Sequence, residues 1–367
     1  MSLTQQLLPG VPNVESLLFN ASLADMGLTD LERDIAIQLN TQGYAVFDFP
    51  DDELDARIER IRADLTPKFD FAQWRRSGWK NSHGLRLANA WHTNADVRAI
   101  AVNEGVIDLL SKLYGRKAFP FQTLNFPVGT QQHVHADTVH FSSVPERFMC
   151  GVWLALEDIG PDAGPLMYYP GSHKWPVLHN DMLGRYVGAQ RFEDVQGPFE
   201  PVWRALAEQS GIQPEYFHAK KGQAVIWSAN LLHGGSAQTN PEKTRWSQVT
   251  HYFFEDCVYY QPSHSDPLVS NIEAYDIVDI STQQLVPNMY LGRPYESLVK
   301  ASSAPASPAM TAPVVKANVP DTGQAPPLPA DFDANLYLLM HPDVKRAGVP
   351  AEQHYMLHGW KENRRYK

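Results

Sequence analysis

The chain of 367 residues is long enough for one large domain or two ordinary ones, and 43 % hydrophobic content supplies a sizeable core. Its 31 Lys and Arg against 41 Asp and Glu leave a formal charge of −10, which argues against the clustered cationic surface that sequence-independent nucleic-acid binding needs. Two cysteines, Cys150 and Cys257, without a CxxC pair exclude a disulfide framework or zinc ribbon, and no stretch approaches the ~18–20 apolar residues of a membrane span.

The opening MSLTQQLLPGVPNVESLL has neither the basic nor the apolar region of a signal peptide, so a soluble cytoplasmic protein is expected. The first ~40 residues read as a helical arm. In TDLERDIAIQL (29–39), Thr29 or Asp30 serves as N-cap to an apolar face. GYAVFDFP (43–50) is a short strand ended by Pro50. DDELDARIERIRADL (51–65) places Leu54, Ile58, Ile61 and Leu65 on one helical face. A further helix is expected over 104–114, stopped by Gly115.

From residue 118 the period changes to two. FPFQTLNF (119–126), a turn at VGT (128–130) and QQHVHADTVHF (131–141) read as a hairpin. Residues 150–159, 164–170, 223–229 and 245–254 are further strands, separated by Gly- and Pro-bearing turns. The expected fold is mainly β with flanking helices, an antiparallel barrel or jelly roll with its core at about 118–260. Residues 171–222 form a long insertion with one helix over 202–211. Residues 1–299 then make the main domain, 300–330 an Ala/Pro/Ser-rich linker and 331–367 a small helical module split at Gly348 and Pro350.

Three histidines and an aspartate crowd residues 133–140. On a strand, alternate side chains share a face, so His133, His135 and Asp137 point one way. Such a set can hold a divalent metal, while the plain reading is polar residues lining a barrel. AVIWSANLLHGG (224–235) brings His233 from a distant strand, followed by a bend at Gly234 and Gly235. Two histidines and one carboxylate with open positions suit ferrous iron in oxygen-using enzymes, whereas structural zinc closes its shell. Arg245 and Ser247, two apart, offer a guanidinium fork and a hydroxyl to a carboxylate. The alternative for Arg245 is a solvated charge at a strand edge.

Taken in order, His135-x-Asp137, WLALED (153–158), GPLMYYPGSHKWP (164–176), His233 and Arg245-x-Ser247 resemble the phytanoyl-CoA dioxygenase family over about 43–260. The resemblance implies a non-haem oxygenase on a double-stranded β-helix, a cupin-like jelly roll. It further implies Fe(II) bound by His135, Asp137 and His233, and 2-oxoglutarate held by Arg245 and Ser247. With O2, such an enzyme hydroxylates an unactivated C–H bond and releases succinate and CO2. Trp153 matches a family position packed near the cosubstrate, against a plain reading as core. Gln122 and Asn125 are further candidates to hydrogen-bond the cosubstrate, against a plain reading as ordinary strand residues. Related halogenases lack the carboxylate, so Asp137 favours hydroxylation or another oxidation.

Two rival readings stand beside this one. HVHADT resembles the HxHxDH signature of dinuclear zinc hydrolases, but Thr138 replaces its final histidine. Alternatively the barrel is a non-catalytic binding module. The segment 332–365 resembles short repeats of bacterial surface and glycan-related proteins, which implies a protein or glycan partner against a plain helical hairpin. For the small-molecule substrate, the insertion 171–222 and the loop SSVPERFM (142–149) are expected to form a lid. Arg147, Lys174, Arg185 and Arg191 are candidates for an anionic group. Phe141, Trp91, Tyr168, Tyr169, Trp175 and His251 are candidates for contact with the substrate. His133 and His140 have no assigned role, and His173 caps the turn in PGSH.

Overall fold

Eleven of the strands among the described residues frame the site: β1 (Tyr44–Asp48), β2 (Leu87–Ala88), β3 (Ala118–Phe126), β4 (Ser142–Val144), β5 (Met149–Ala155), β6 (Leu166–Tyr168), β7 (Glu215–Phe217), β8 (Gln223–Ser228), β9 (His233–Gly235), β10 (Ser247–Phe254) and β11 (Val258–Tyr260). The computed structural model describes residues 1–78, 85–188, 194–296, 328–329, 331–341, 344–345, 349–360, 364 and 366. Arg191, Gly348 and all of 300–330 except 328–329 lie outside the described residues. The chain divides into two units, Met1–Ala304 and Pro305–Lys367.

Six strands pair antiparallel in the order β1-β8-β5-β10-β3-β2, and β7-β6-β9 form a smaller sheet. β5 and β10 are buried at every position because both faces of the large sheet are covered. Such strands read as near-continuous apolar runs instead of a clean alternation. One face carries the helices: Leu39, Ile58, Ile61, Val106 and Leu110 share a core with Val152, Ile226 and Tyr252. The other face meets the smaller sheet, where Trp153, Val225, Trp227 and Val249 pack with Leu166, Tyr168 and Phe217. The site lies in this second layer. The architecture is a double antiparallel sheet of jelly-roll type with a substantial helical layer, so mixed helix and sheet describes it better than mainly β.

The helices follow their local chemistry. Asp30–Gln42 starts with a capping box in which Thr29 and Glu32 satisfy each other's backbone N–H groups, and it ends on Gly43 at φ 85. Leu54–Leu65 buries the four residues the periodicity selects, Leu54, Ile58, Ile61 and Leu65. Glu104–Tyr114 is capped by Asn103 and closed by Gly115 at φ 78. In the insertion a helix runs from Glu200 to Ser210. No helix among the described residues is long and apolar enough to cross a membrane.

The expected hairpin over 119–141 is not formed. β3 pairs with β10 and β2, and residues 131–135 are not a strand. The segment 130–135 instead lies along β9, joined through the antiparallel bridge His135–His233 and a bond from Gly235 N–H to the Gln132 carbonyl at 3.1 Å, and Asp137–Val139 turns away. Two glycines are the cause. A Cβ on Gly235 would overlap the Thr130 hydroxyl and come within 2.7 Å of the Gln131 nitrogen. One on Gly234 would come within 2.9 Å of the Gln132 carbonyl oxygen. The expected bend at Gly234 and Gly235 is therefore a short strand whose bare backbone admits a neighbour.

The loop 142–149 is not a lid either. Its first half is β4, paired with β11. Arg147 points away from the site: it donates to Glu15 Oε2 at 2.7 Å, to the His173 carbonyl at 2.8 Å and to the Trp175 carbonyl at 3.0 Å. It thereby ties the N-terminal arm to the turn in PGSH. Burial raises the pKa of Glu15, and the Arg147 charge and hydrogen bond are the largest effects opposing that. Trp175 packs with Leu178, Phe199 and Trp203, and Tyr168 lies 4.0 Å, ring to ring, from Tyr44.

In the second unit, Ala334–Met340 is capped by Asp333, and Ala351–His354 continues into the wider turn Tyr355–Gly359. Tyr337, Val344, Ala351 and Tyr355 form its core.

Removing one partner of a buried ion pair leaves the other charge without compensation. Arg147→Ala should therefore destabilise the fold by about 3 kcal/mol in denaturant unfolding, and Glu15→Gln in the same chain should recover part of that loss. A single substitution without cost would show that the pair does not hold the arm.

Candidate metal centre

The two segments that carry the histidines are locked by their backbones. His135 N–H donates to the His233 carbonyl at 2.8 Å, and His233 N–H returns a bond to His135 at 2.9 Å. Each imidazole is then oriented by the carbonyl two residues before it. His135 Nδ1 lies 2.9 Å from the His133 carbonyl oxygen, and His233 Nδ1 lies 3.0 Å from that of Leu231. A carbonyl only accepts, so both Nδ1 atoms carry the proton and both Nε2 lone pairs face inward.

Asp137 completes the group. Its Oδ1 is 3.6 Å from His135 Nε2 and 3.8 Å from His233 Nε2. One donor atom from each of the three buried residues lies within 4.8 Å of the others. Oδ2 turns the other way and accepts a 2.7 Å hydrogen bond from the indole N–H of Trp227. Trp227 stands opposite Gly151 in the β5–β8 register, and any Cβ on Gly151 would collide with the indole. Trp227 was invisible to sequence reading, because no local motif marks it and its role depends on the strand pairing.

Burial alone would raise the Asp137 pKa. The adjoining His233, His135 and His251 rings outweigh it and hold the carboxyl well below the usual range. His233 is pushed down to about 4, chiefly by burial. Asp137 is thus held as a carboxylate and burial favours the neutral form of His233, the states that ligate a divalent ion.

A cavity of about 810 Å³ opens onto these atoms. It brings together His135, Asp137, His233, Arg245, Trp153, Gln122, Phe141 and His251. Arg245 is 1 % exposed, and the one protein hydrogen bond of its guanidinium among the described residues is a 3.3 Å donation from Nη1 to the Gly164 carbonyl. No carboxylate among the described residues pairs with it, and burial lowers its pKa to about 10. The Arg245 Nε, Ser247 Oγ and Trp153 Nε1 atoms are buried without a protein partner. Ser247 opens β10, two residues beyond Arg245, although it is not part of the cavity wall.

Several expected residues are elsewhere. Asn125 faces the other side of β3, where its amide donates to Gln248 Oε1 at 3.2 Å; Gln122, three residues earlier, does line the cavity. Arg147, Tyr168 and Trp175 are held in the structural contacts described above and do not line it. Lys174 and Arg185 do not line it either. Trp91 lines a neighbouring cleft of about 400 Å³ that shares Gln122 and Phe141. His133 is exposed and does not join the metal group, since the segment lacks the strand alternation that would have turned it inward. The second site of a dinuclear centre is therefore not assembled among the described residues. His140 lies on the wall beside Gln196, whose Oε1 is 3.4 Å from its Nε2. Sequence reading also missed Arg86, Gln132 and Glu200 on the wall, the last from the insertion. Polar residues outside a motif carry no signal of their own.

With this geometry in place, comparison with known proteins is decisive. A family model described as phytanoyl-CoA dioxygenase (PhyH) matches residues 39–246. The chain belongs to this family. An ectoine dioxygenase of Nocardia farcinica is 26 % identical over 199 residues, covering 52 % of this chain and 65 % of that protein. A probable phytanoyl-CoA dioxygenase of Caenorhabditis elegans is 23 % identical over 192 residues, covering 49 % of this chain and 57 % of that one. The matches thus span less than two thirds of either relative. Among solved structures, EctD from S. alaskensis with 2-oxoglutarate and 5-hydroxyectoine shares 17 % identity at a TM-score of 0.47, covering 64 % of this chain and 79 % of that one. The non-heme alpha ketoglutarate dependent epimerase SnoN from nogalamycin biosynthesis shares 16 % at 0.45, covering 64 % and 86 %.

Outer hydrogen bonds to metal ligands commonly support affinity by 10–100-fold. Trp227→Phe keeps the ring and removes the N–H, so iron affinity measured by competitive chelation should fall by roughly tenfold. An unchanged affinity would remove Trp227 from the centre.

His140, His173 and His233 are each pushed down to about 4, chiefly by burial. The unfolded chain takes up these protons near the ordinary value of about 6.5. Their contribution to stability is complete above that value and is lost as pH falls through the folded-state value. The metal-free protein should accordingly show a Tm that declines from about pH 6.5 to pH 4.

Proposed function

We propose that this family member is an Fe(II)- and 2-oxoglutarate-dependent dioxygenase that hydroxylates an unactivated C–H bond of a small molecule, with release of succinate and CO2. The observation that carries this reading is one cavity holding both the His135–Asp137–His233 donor group and a buried guanidinium, Arg245, without an acidic partner among the described residues.

The donor set fits ferrous iron. Two imidazole nitrogens and one carboxylate oxygen match its preference and leave further positions for other ligands. The unpartnered Arg245 Nε, Ser247 Oγ and Trp153 Nε1 fit an anionic, oxygen-rich cosubstrate, since buried donors are costly unless paired. When bound, iron and 2-oxoglutarate with O2 supply the oxidising power, through oxidative decarboxylation of the cosubstrate.

The chain's own residues do the rest. Arg245 fixes the far carboxylate of the cosubstrate by charge-assisted hydrogen bonds. Phe126, Trp153, Leu166 and Val249 wall that part of the cavity and exclude water, which strengthens the guanidinium's attraction. His135 and His233 are pre-oriented by carbonyls, and Asp137 by Trp227, so little rearrangement accompanies binding. None of the three acts as acid or base. A carboxylate at position 137 supports oxygenation over halogenation.

The reading extends to the setting. Two buried free cysteines suit a reducing compartment such as the cytoplasm. Resemblance of the second unit to repeats of glycan-related proteins supports a lipid- or glycan-linked substrate and a protein or glycan partner for that unit.

Anaerobic addition of Fe(II) and 2-oxoglutarate should produce a weak visible charge-transfer band in the wild type that is lost in His135→Ala. Arg245→Met should raise the 2-oxoglutarate KM at least tenfold with a smaller effect on kcat, as expected for loss of a ground-state contact. Absence of the band in iron-replete wild type would overturn the assignment.

A further inference from the structure

His251 sits beside the metal group without belonging to it. It lies on β10, is 4 % exposed and lines the cavity with Arg245 and Val249. Phe141 and Phe121 confine its ring at centroid distances of 5.4 and 6.0 Å. On the paired strand, Gln122 stands directly opposite, with Oε1 2.9 Å from His251 Nδ1.

This contact sets the polarity of the ring. The amide oxygen only accepts, so Nδ1 carries the hydrogen and Nε2 is a bare lone pair. Nε2 is 3.7 Å from Asp137 Oδ2, beyond hydrogen-bond reach. It has no hydrogen-bond partner among the described residues. Asp137 Oδ2 accepts one bond, from Trp227, and keeps a second lone pair. Two acceptors therefore stand side by side at the buried end of the cavity with no protein donor between them. Such a pair is satisfied only by an incoming O–H or N–H.

The geometry points to His251 as the residue that selects the substrate: its Nε2, with Asp137 Oδ2, receives a hydroxyl or amine group carried next to the carbon that reacts. The substrate class is a polar alcohol or amine, not a saturated alkyl chain. The rest of the wall agrees, since Gln131, Gln132, His133, Gln196 and Glu200 face the same space and would be poorly matched to a hydrocarbon. This assignment rests on the oxygenase reading above for the position of the reacting carbon, but the acceptor pair itself does not.

Equilibrium dialysis on the full chain tests it, with and without anaerobic Fe(II) and 2-oxoglutarate. The probes are 1,2-cyclohexanediol against its dimethyl ether, and cyclohexylamine against its N,N,N-trimethyl form. The donor-bearing member of each pair should bind wild type about tenfold more tightly than its methylated partner, the worth of one hydrogen bond to a buried acceptor. His251→Phe should erase that preference while iron affinity and the 2-oxoglutarate band stay unchanged, and His251→Gln, which restores an acceptor, should recover part of it. Equal binding of methylated and unmethylated probes overturns the inference, as does failure of both donor probes to bind wild type. Weakened iron affinity or a shifted band in His251→Phe without any change in probe preference also overturns it, because the imidazole would then be a prop for Asp137. A wild type that binds the probes selectively but forms no band would instead sink the oxygenase assignment alone.

Discussion

The structure depends on how closely two backbones approach at Gly234 and Gly235. Because neither residue has a side chain, the segment 130–135 lies directly on β9, and His135 and His233 exchange backbone hydrogen bonds. Residues about a hundred positions apart in sequence are thereby held in a fixed register. The imidazole directions, the place of Asp137 and the inner end of the cavity all follow from that contact. Packing of the two sheets supplies the walls; this contact supplies the centre.

A second theme is the asymmetry of buried polar groups. Donors without partners are found at Arg245, Ser247 and Trp153, of which Arg245 and Trp153 reach the cavity wall. Acceptors on the same wall are the two ligand imidazoles, Asp137 and His251. Folding alone gains nothing from either group, since unsatisfied buried polar atoms oppose stability. The two sets give the cavity a complementary lining, with donors suited to an anionic ligand and acceptors suited to a cation and a donor-bearing molecule. By contrast Arg147, a partly buried cation, is satisfied by Glu15 and two carbonyls and is part of the scaffold.

Much of the fold was legible because it rests on local rules. Capping at Thr29, the helical face of Leu54, Ile58, Ile61 and Leu65, and the stop at Gly115 need nothing beyond a few neighbouring residues. The metal ligands were legible because residue type and order identify them even when local structure is misjudged: His135 and Asp137 converge although their segment is a bridge and a turn, not a strand. What failed was inference from alternation. It turned His133 inward and Asn125 toward the cavity, whereas the chain leaves strand geometry at the first and β3 turns the second toward Gln248. What could not be found at all was Trp227 and the polar wall, whose roles come from register between distant strands.

The indole bond to Asp137 Oδ2 has a consequence for coordination number. With that oxygen held 2.7 Å from the Trp227 nitrogen, Oδ1 is the atom left to lead toward an ion, and drawing both oxygens onto it would strain the indole bond. An ion seated here would be met by one oxygen of Asp137 at lower cost than by two, which would leave a further position to exchangeable ligands.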